Sequence, residues 1–226
     1  MLSVRDWRVG WFCLLQGGIY LSFLSMDLWR RGPSTTPLKY LGILLCLAYS
    51  LYWSVRGGDR LISGALALTL GADTFLLVLN TRYVLGVLLF CCVQLLYFLR
   101  IYRWNGGQSW WGLRLVLFLA ALAILGLAGL MSPLNVLAML YFSNFLCSAL
   151  QSLGLNGPRC RLFSAGLLLF LCCDVCVGLF QYAWLLPAAA GFARVGMWMF
   201  YLPAQVLITL SGLPNFSTRG VPIEDQ

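Results

Sequence analysis

The chain has 226 residues, of which 61% are hydrophobic and 10% charged, with a mean hydropathy of +0.86 and a formal charge of +8. A soluble domain carries about 25% charged residues, so a water-facing shell cannot be built from this composition. The absence of histidine excludes the common zinc hydrolase sites and a Ser-His-Asp triad.

Apolar runs of roughly spanning length fall at about 9–28, 37–54, 61–79, 83–101, 113–131, 134–153, 161–180 and 193–211. Helices are implied, because lipid offers the backbone no partner. This predicts an all-α, polytopic membrane protein of about eight transmembrane helices. The first run follows Arg5 and Arg8 as a secretory signal would, but it is too long for one and lacks a small-residue cleavage pattern, so it reads as a helix. The segments "RGGDR", "WNGGQS" and "NGPR" read as short polar turns. No long linker or low-complexity tract interrupts the chain, which reads as one membrane domain over 1–226.

In an eight-span arrangement Arg5, Arg8, Arg56, Arg60, Arg100, Arg103, Arg114, Arg159, Arg161 and Arg219 share one side. Lys39, Arg30, Arg31, Arg82 and Arg194 share the other, which places both termini in the cytoplasm. The positive charge therefore reads as topology and contact with anionic lipid, not as nucleic-acid binding. Short loops suit a bacterial inner membrane. Most of the nine cysteines lie within spans as apolar filler, and the C-x-x-C within "CCDVC", placed in a membrane helix of a chain without histidine, does not read as a redox or metal site. The Asn-x-Ser pattern at Asn215 falls in the cytoplasmic tail, 212–226, and reads as coincidence.

An internal repeat emerges when "ISGALALTLGADTFLLVL" is set against "FSAGLLLFLCCDVCVGLF", pairing Ser63 with Ser164 and Asp73 with Asp174. The following segments pair Gln94 with Gln205, and the preceding ones pair Pro37 with Pro133 and Lys39 with Asn135. Four spans separate the partners, so two copies, about 9–101 and 113–211, form a parallel duplicated four-helix unit. Asp73 and Asp174 then lie at a common depth, about 18 to 20 Å from the cytoplasmic ends of their spans. Intramembrane carboxyls are costly and usually face a bundle interior. On inward faces the two would meet across one cavity. Their plain reading is as interhelical hydrogen bonds. Lys39, Gln94, Tyr97, Asn144, Tyr201 and Gln205, with Asn80, Tyr141, Ser148 and Gln151, are candidates to line a polar site, although each also reads singly as a helix tie.

These residues resemble the YhhN-type membrane proteins, the family that includes lysoplasmalogenases. The resemblance rests on "TPLK" at 36–39, "GADTFLL" at 71–77, "YVLGVLLFCCVQLLY" at 83–97, "FLCCDVCVGL" at 170–179 and "YLPAQVLI" at 201–208. Gln94 stands where the family pattern has His, Cys173 replaces a Ser, Ala72 separates Gly71 from Asp73, and Pro37 with Lys39 permutes a Lys-Pro pair. The resemblance implies hydrolysis of the vinyl ether bond of a lysoplasmalogen, a single-chain ether phospholipid, to a fatty aldehyde and a glycerophospho-base. Asp73 and Asp174 would be catalytic, one as general acid and the other ionised to orient water. Lys39 would steer the phosphate or hold one carboxylate ionised, Gln94 would orient water, and neither metal nor cofactor is required. The alternatives are a small proton-coupled transporter, disfavoured because no clearly broken helix flanks either Asp although Pro187 and Pro203 leave the last segment open to a break, and a noncatalytic lipid-binding relative.

Overall fold

In the computed structural model, residues 4–29, 34–184 and 187–214 are described, and side chains from residue 7 onward. Eight α-helices follow one another: α1 Val4–Trp29, α2 Thr36–Ser54, α3 Arg60–Asp73, α4 Tyr83–Trp104, α5 Trp111–Leu127, α6 Pro133–Leu153, α7 Pro158–Gln181 and α8 Pro187–Ser211. A π-helical turn, Thr74–Val78, prolongs α3. Six of these segments, Trp7–Trp29, Arg60–Val78, Tyr83–Trp104, Pro133–Leu153, Pro158–Gln181 and Pro187–Ser211, are long and apolar enough to cross a membrane. The expected second and fifth spans are the weaker ones. α2 carries Lys39, Ser50 and several ring residues, and α5 has 17 residues.

The fifth helix stops four residues before the expected 131 because its end is capped. Gly129 takes φ +67, the Leu130 N–H bonds Leu125 O at 2.9 Å and the Gly129 N–H bonds Gly126 O at 3.2 Å. This closes orphan carbonyls in a Schellman arrangement that glycine adopts without a Cβ penalty. α4 ends the same way, with Gly106 at φ +60 and the Gly107 N–H on Tyr102 O. The eighth helix instead begins six residues earlier than expected, since Pro187 suits a first turn and an Ala run follows.

Helices α3 with α4 and α7 with α8 form close antiparallel pairs, while α2 against α8 and α4 against α6 join the two halves. Small residues permit the α7–α8 approach: Gly166 lies against Ala204 and Ile208, and Gly196 against Cys176. The core is apolar and aromatic, including Phe23, Ile43, Leu66, Phe145, Phe163, Phe170 and Ile208. The outer surface is apolar too, with Trp7, Leu14, Leu21, Leu115, Ile124 and Leu127 all exposed. Such an exterior suits lipid as solvent.

One bundle end carries the start of α3 and the ends of α4 and α8. There Arg100, buried, donates from Nε to Asp59 at 2.7 Å, from Nη1 to Ser211 Oγ at 2.7 Å and from Nη2 to Ser211 O at 2.7 Å. Its guanidinium stacks over Trp104 and Phe163. Asp59 also caps α3 by accepting from the Leu61 N–H. At the opposite end, reached by the start of α2, Lys39 sits beside the last turn of α1. Arg30, Arg31, Arg219, Asn215 and nearly all of the proposed tail lie outside the described residues, as does the Arg5 side chain.

Candidate functional site

Asp73, 5% exposed, closes the regular part of α3. Its Oδ2 accepts the Tyr201 hydroxyl of α8 at 2.8 Å. The backbone changes pitch directly after it: the Leu79 N–H reaches Thr74 O at 2.9 Å, an i to i+5 bond. π turns of this kind gather at functional sites. Thr74 donates to Leu70 O at 2.8 Å, leaving its oxygen free to take the Tyr40 hydroxyl at 2.9 Å. The helix flanking Asp73 changes pitch without breaking, so Arg60–Val78 remains one continuous span.

Helix α8 stays continuous but lacks one backbone hydrogen bond. Pro203 has no N–H to offer the Met199 carbonyl one turn back. The Tyr20 hydroxyl of α1 donates to that carbonyl at 3.1 Å, which supplies the bond lipid cannot.

Asp174, half-buried in α7, accepts the Tyr141 hydroxyl of α6 at 2.6 Å. Each carboxyl is thus held by its own tyrosine, on different helices. Rings bridge the two pairs: Phe170 lies edge-on to Tyr201 at 5.4 Å and to Phe90 at 5.9 Å, and Phe90 lies 6.1 Å from Tyr141. Cys173 is within electrostatic range of both carboxyls.

The remaining candidates divide among three places. Lys39 pairs with Asp27 at 2.7 Å and stands over the Trp198 ring at 4.8 Å. It is linked to Asp73 through the ring contact of Trp198 with Tyr201. The physical reason is local: Asp27 in the last turns of α1 offers a carboxylate that Thr35 also bonds at 2.7 Å. Tyr97 and Gln205 are fully buried in the core, away from the cleft described next. Gln94, 4% exposed, has no hydrogen-bond partner for either amide atom. Gln94 and Tyr141 share the lining of one cleft, and burying an amide unpaired is costly enough to mark the place.

Gln94 and Tyr141 both line a cleft of about 260 Å³ between α4, α5 and α6, together with Cys91, Phe98, Trp111, Arg114 and Asn144. Arg114 bonds the row Asn144, Ser148 and Gln151, which lie at helical spacing on one face of α6. The polar row was legible in sequence; its cation was not, because an Arg near a helix end reads as a topology charge. Among the described residues no group of three or more His, Cys, Asp or Glu is placed to hold a metal ion.

The pattern of the YhhN family matches residues 34–212, well over half of the chain. The chain belongs to the YhhN family. Searches of curated proteins and of solved structures gave no match. The matched region contains both Asp–Tyr pairs, the cleft and the Arg100 cluster, while the whole of α1, with Asp27 and Tyr20, lies before it.

Proposed function

We propose that this YhhN-family membrane protein is a lysoplasmalogenase-like hydrolase acting on a single-chain vinyl ether phospholipid. The observation that carries the reading is the pair of intramembrane carboxyls, Asp73 and Asp174, each hydrogen-bonded to a tyrosine in the bundle interior. Vinyl ethers open by acid: a proton added to the outer vinyl carbon leaves a cation stabilised by oxygen, and water adds to give a hemiacetal. The hemiacetal collapses to a fatty aldehyde and the glycerophospho-base. One carboxyl serves as proton donor and the other accepts the proton of water. Tyr141 and Tyr201 orient them, and Gln94, with two amide atoms unspent, positions water beside the Asp174 pair. No metal takes part in this scheme.

The reading includes eight crossings in a parallel duplicated four-helix unit, with both termini in the cytoplasm of a bacterial inner membrane. Several contacts favour the duplication. Ser63 of α3 bonds Ser50 of α2, and its repeat partner Ser164 of α7 bonds Ser152 of α6. The contacts α2 with α8 and α4 with α6 exchange when the halves are swapped. Arg100 and Ser211, six residues beyond Gln94 and Gln205, occupy matching places and bond each other.

The π turn after Asp73 and the proline inside α8 favour a second reading, proton-coupled transport, since irregular helices beside a membrane acid also build carriers. Aldehyde release from a lysoplasmalogen by the purified protein, with Asp73→Asn and Asp174→Asn alongside, decides between them. A hydrolase releases aldehyde and loses that release on either substitution while staying folded. A carrier moves solute in vesicles and releases none, and a lipid-binding relative does neither.

A further inference from the structure

Arg114 poses a problem of charge. It lies in the first turn of α5, is 4% exposed, and donates to Ser109 O at 2.8 Å, Asn144 O at 2.9 Å and Gln151 Oε1 at 2.6 Å, with longer bonds of 3.3 Å to Asn144 Oδ1 and Ser148 Oγ. All of these acceptors are neutral. The described carboxylates are committed elsewhere: Asp27 to Lys39, Asp59 to Arg100, Asp73 to Tyr201 and Asp174 to Tyr141. Neutral acceptors satisfy the guanidinium hydrogens but leave its charge without a counter-charge, a costly state for a buried cation.

Arg114 also lines the α4–α5–α6 cleft, whose wall includes Gln94, a buried residue with an unpartnered amide. The cleft's lining includes Leu95 and Trp111, which are 61% and 65% exposed on the apolar exterior. Its entrance therefore faces lipid, and aromatic residues such as Trp110 and Trp111 belong at the headgroup level. Along α6, Asn144 stands three residues and Ser148 seven residues from Tyr141, so the guanidinium lies about 5 to 10 Å along the bundle from the Asp174 pair. That is comparable with the separation of phosphorus from the ether oxygen across a glycerol backbone.

We propose that Arg114, with Asn144 and the Gln94 amide, holds the phosphodiester of a single-chain phospholipid that enters the cleft from the membrane between α4 and α5. Guanidinium suits phosphate by its paired donors and weak hydration. The three long bonds, one to Asn144 Oδ1 and two to Ser148 Oγ, are those the phosphate oxygens replace. Phe98 and Trp111, 5.4 Å apart, flank the site, and the chain runs inward along Leu95 and Leu140. The assignment rests on the hydrolase reading for the meaning of the spacing, but not for the anion site itself.

The test uses the full chain in detergent and a saturated 1-O-alkyl lysophosphocholine, which has no vinyl bond to cleave. Its binding is measured calorimetrically beside that of the 1-O-alkylglycerol, which lacks phosphate, and of glycerophosphocholine, which lacks the chain. The expected result is at least tenfold tighter binding of the phospholipid than of either fragment. That preference falls tenfold or more in Arg114→Met and severalfold in Gln94→Leu, which breaks no hydrogen bond of the fold. Equal binding of the alkylglycerol overturns the inference, as does equal binding of glycerophosphocholine, which would make the ligand a free phosphodiester. Should Arg114→Met not fold, an unchanged preference in both Arg114→Lys and Gln94→Leu overturns it equally. Phosphate-dependent binding without aldehyde release would leave the anion site standing and remove the hydrolase. Aldehyde release with an unchanged KM in Arg114→Met would do the reverse.

Discussion

Asp59→Asn is the most informative test of how the bundle end is held. Asparagine keeps an oxygen for the α3 cap, so the bond from the Leu61 N–H survives while the charge goes. Arg100, whose side chain is 2% exposed, then loses its counter-ion but stays buried under Trp104 and Phe163. Breaking a fully buried pair costs about 3 to 5 kcal/mol. Asp59 is itself 23% exposed, and Ser211 continues to accept two bonds, which lowers the expectation to about 2 to 3 kcal/mol. For a chain of this size that is a fall in Tm of roughly 4 to 12 °C. A thiol-reactive dye reports it, because Cys46, Cys147, Cys173 and Cys176 are buried until the bundle opens. The second arm removes the stranded cation: Asp59→Asn with Arg100→Met should recover at least half of the loss. A single substitution within about 2 °C of the parent, or a double one no better than the single, would refute the reasoning.

Tyr141→Phe and Tyr201→Phe each delete one hydroxyl bonded to a carboxyl and leave the ring. Aldehyde release should fall tenfold or more in each with the circular dichroism unchanged; full activity in either removes that tyrosine from the mechanism. Gly166→Ala would put a Cβ 2.7 Å from Ile208 Cγ1 and 3.1 Å from Ala204 O, which costs about 1 to 3 kcal/mol in thermal denaturation. Gly178→Ala, with nothing within 4 Å, should be neutral or slightly stabilising, and equal losses at the two positions would count against a close α7–α8 approach. Tyr20→Phe strands the Met199 carbonyl and should lower stability by about 1 kcal/mol. Adding Pro203→Ala restores a backbone donor there, so failure of the pair to recover would show that the hydroxyl was not serving that carbonyl.

Composition and run length by themselves determined that the chain is a set of apolar helices, and turn chemistry placed most of their ends. The Gly residues of "NGG" cap α4, and where the fifth span was drawn too long the missing signal was Gly129 closing a Schellman turn. The two acids were legible because a carboxylate in an apolar run is rare and its repetition at one depth rarer. Family membership was legible from the order of weak motifs, and it extends over residues 34–212.

Only the tertiary structure decided who meets whom. In a soluble helix the polar face declares which side is out, but here lipid and core are equally apolar, so sequence periodicity does not separate the inward face from the outward one. Lys39, expected to steer a substrate phosphate or hold one carboxylate ionised, meets Asp27, a neighbour supplied by the path of α1. Asp73 meets Tyr201 across 128 residues of chain, and the π turn behind it has no Gly or Pro to announce it. Arg114 looked like a topology charge until α5 packed on α6 and buried it against a row of neutral acceptors. Partner choice in a membrane bundle is fixed by which few polar groups packing brings within bonding distance, and that distance exists only once the helices are assembled.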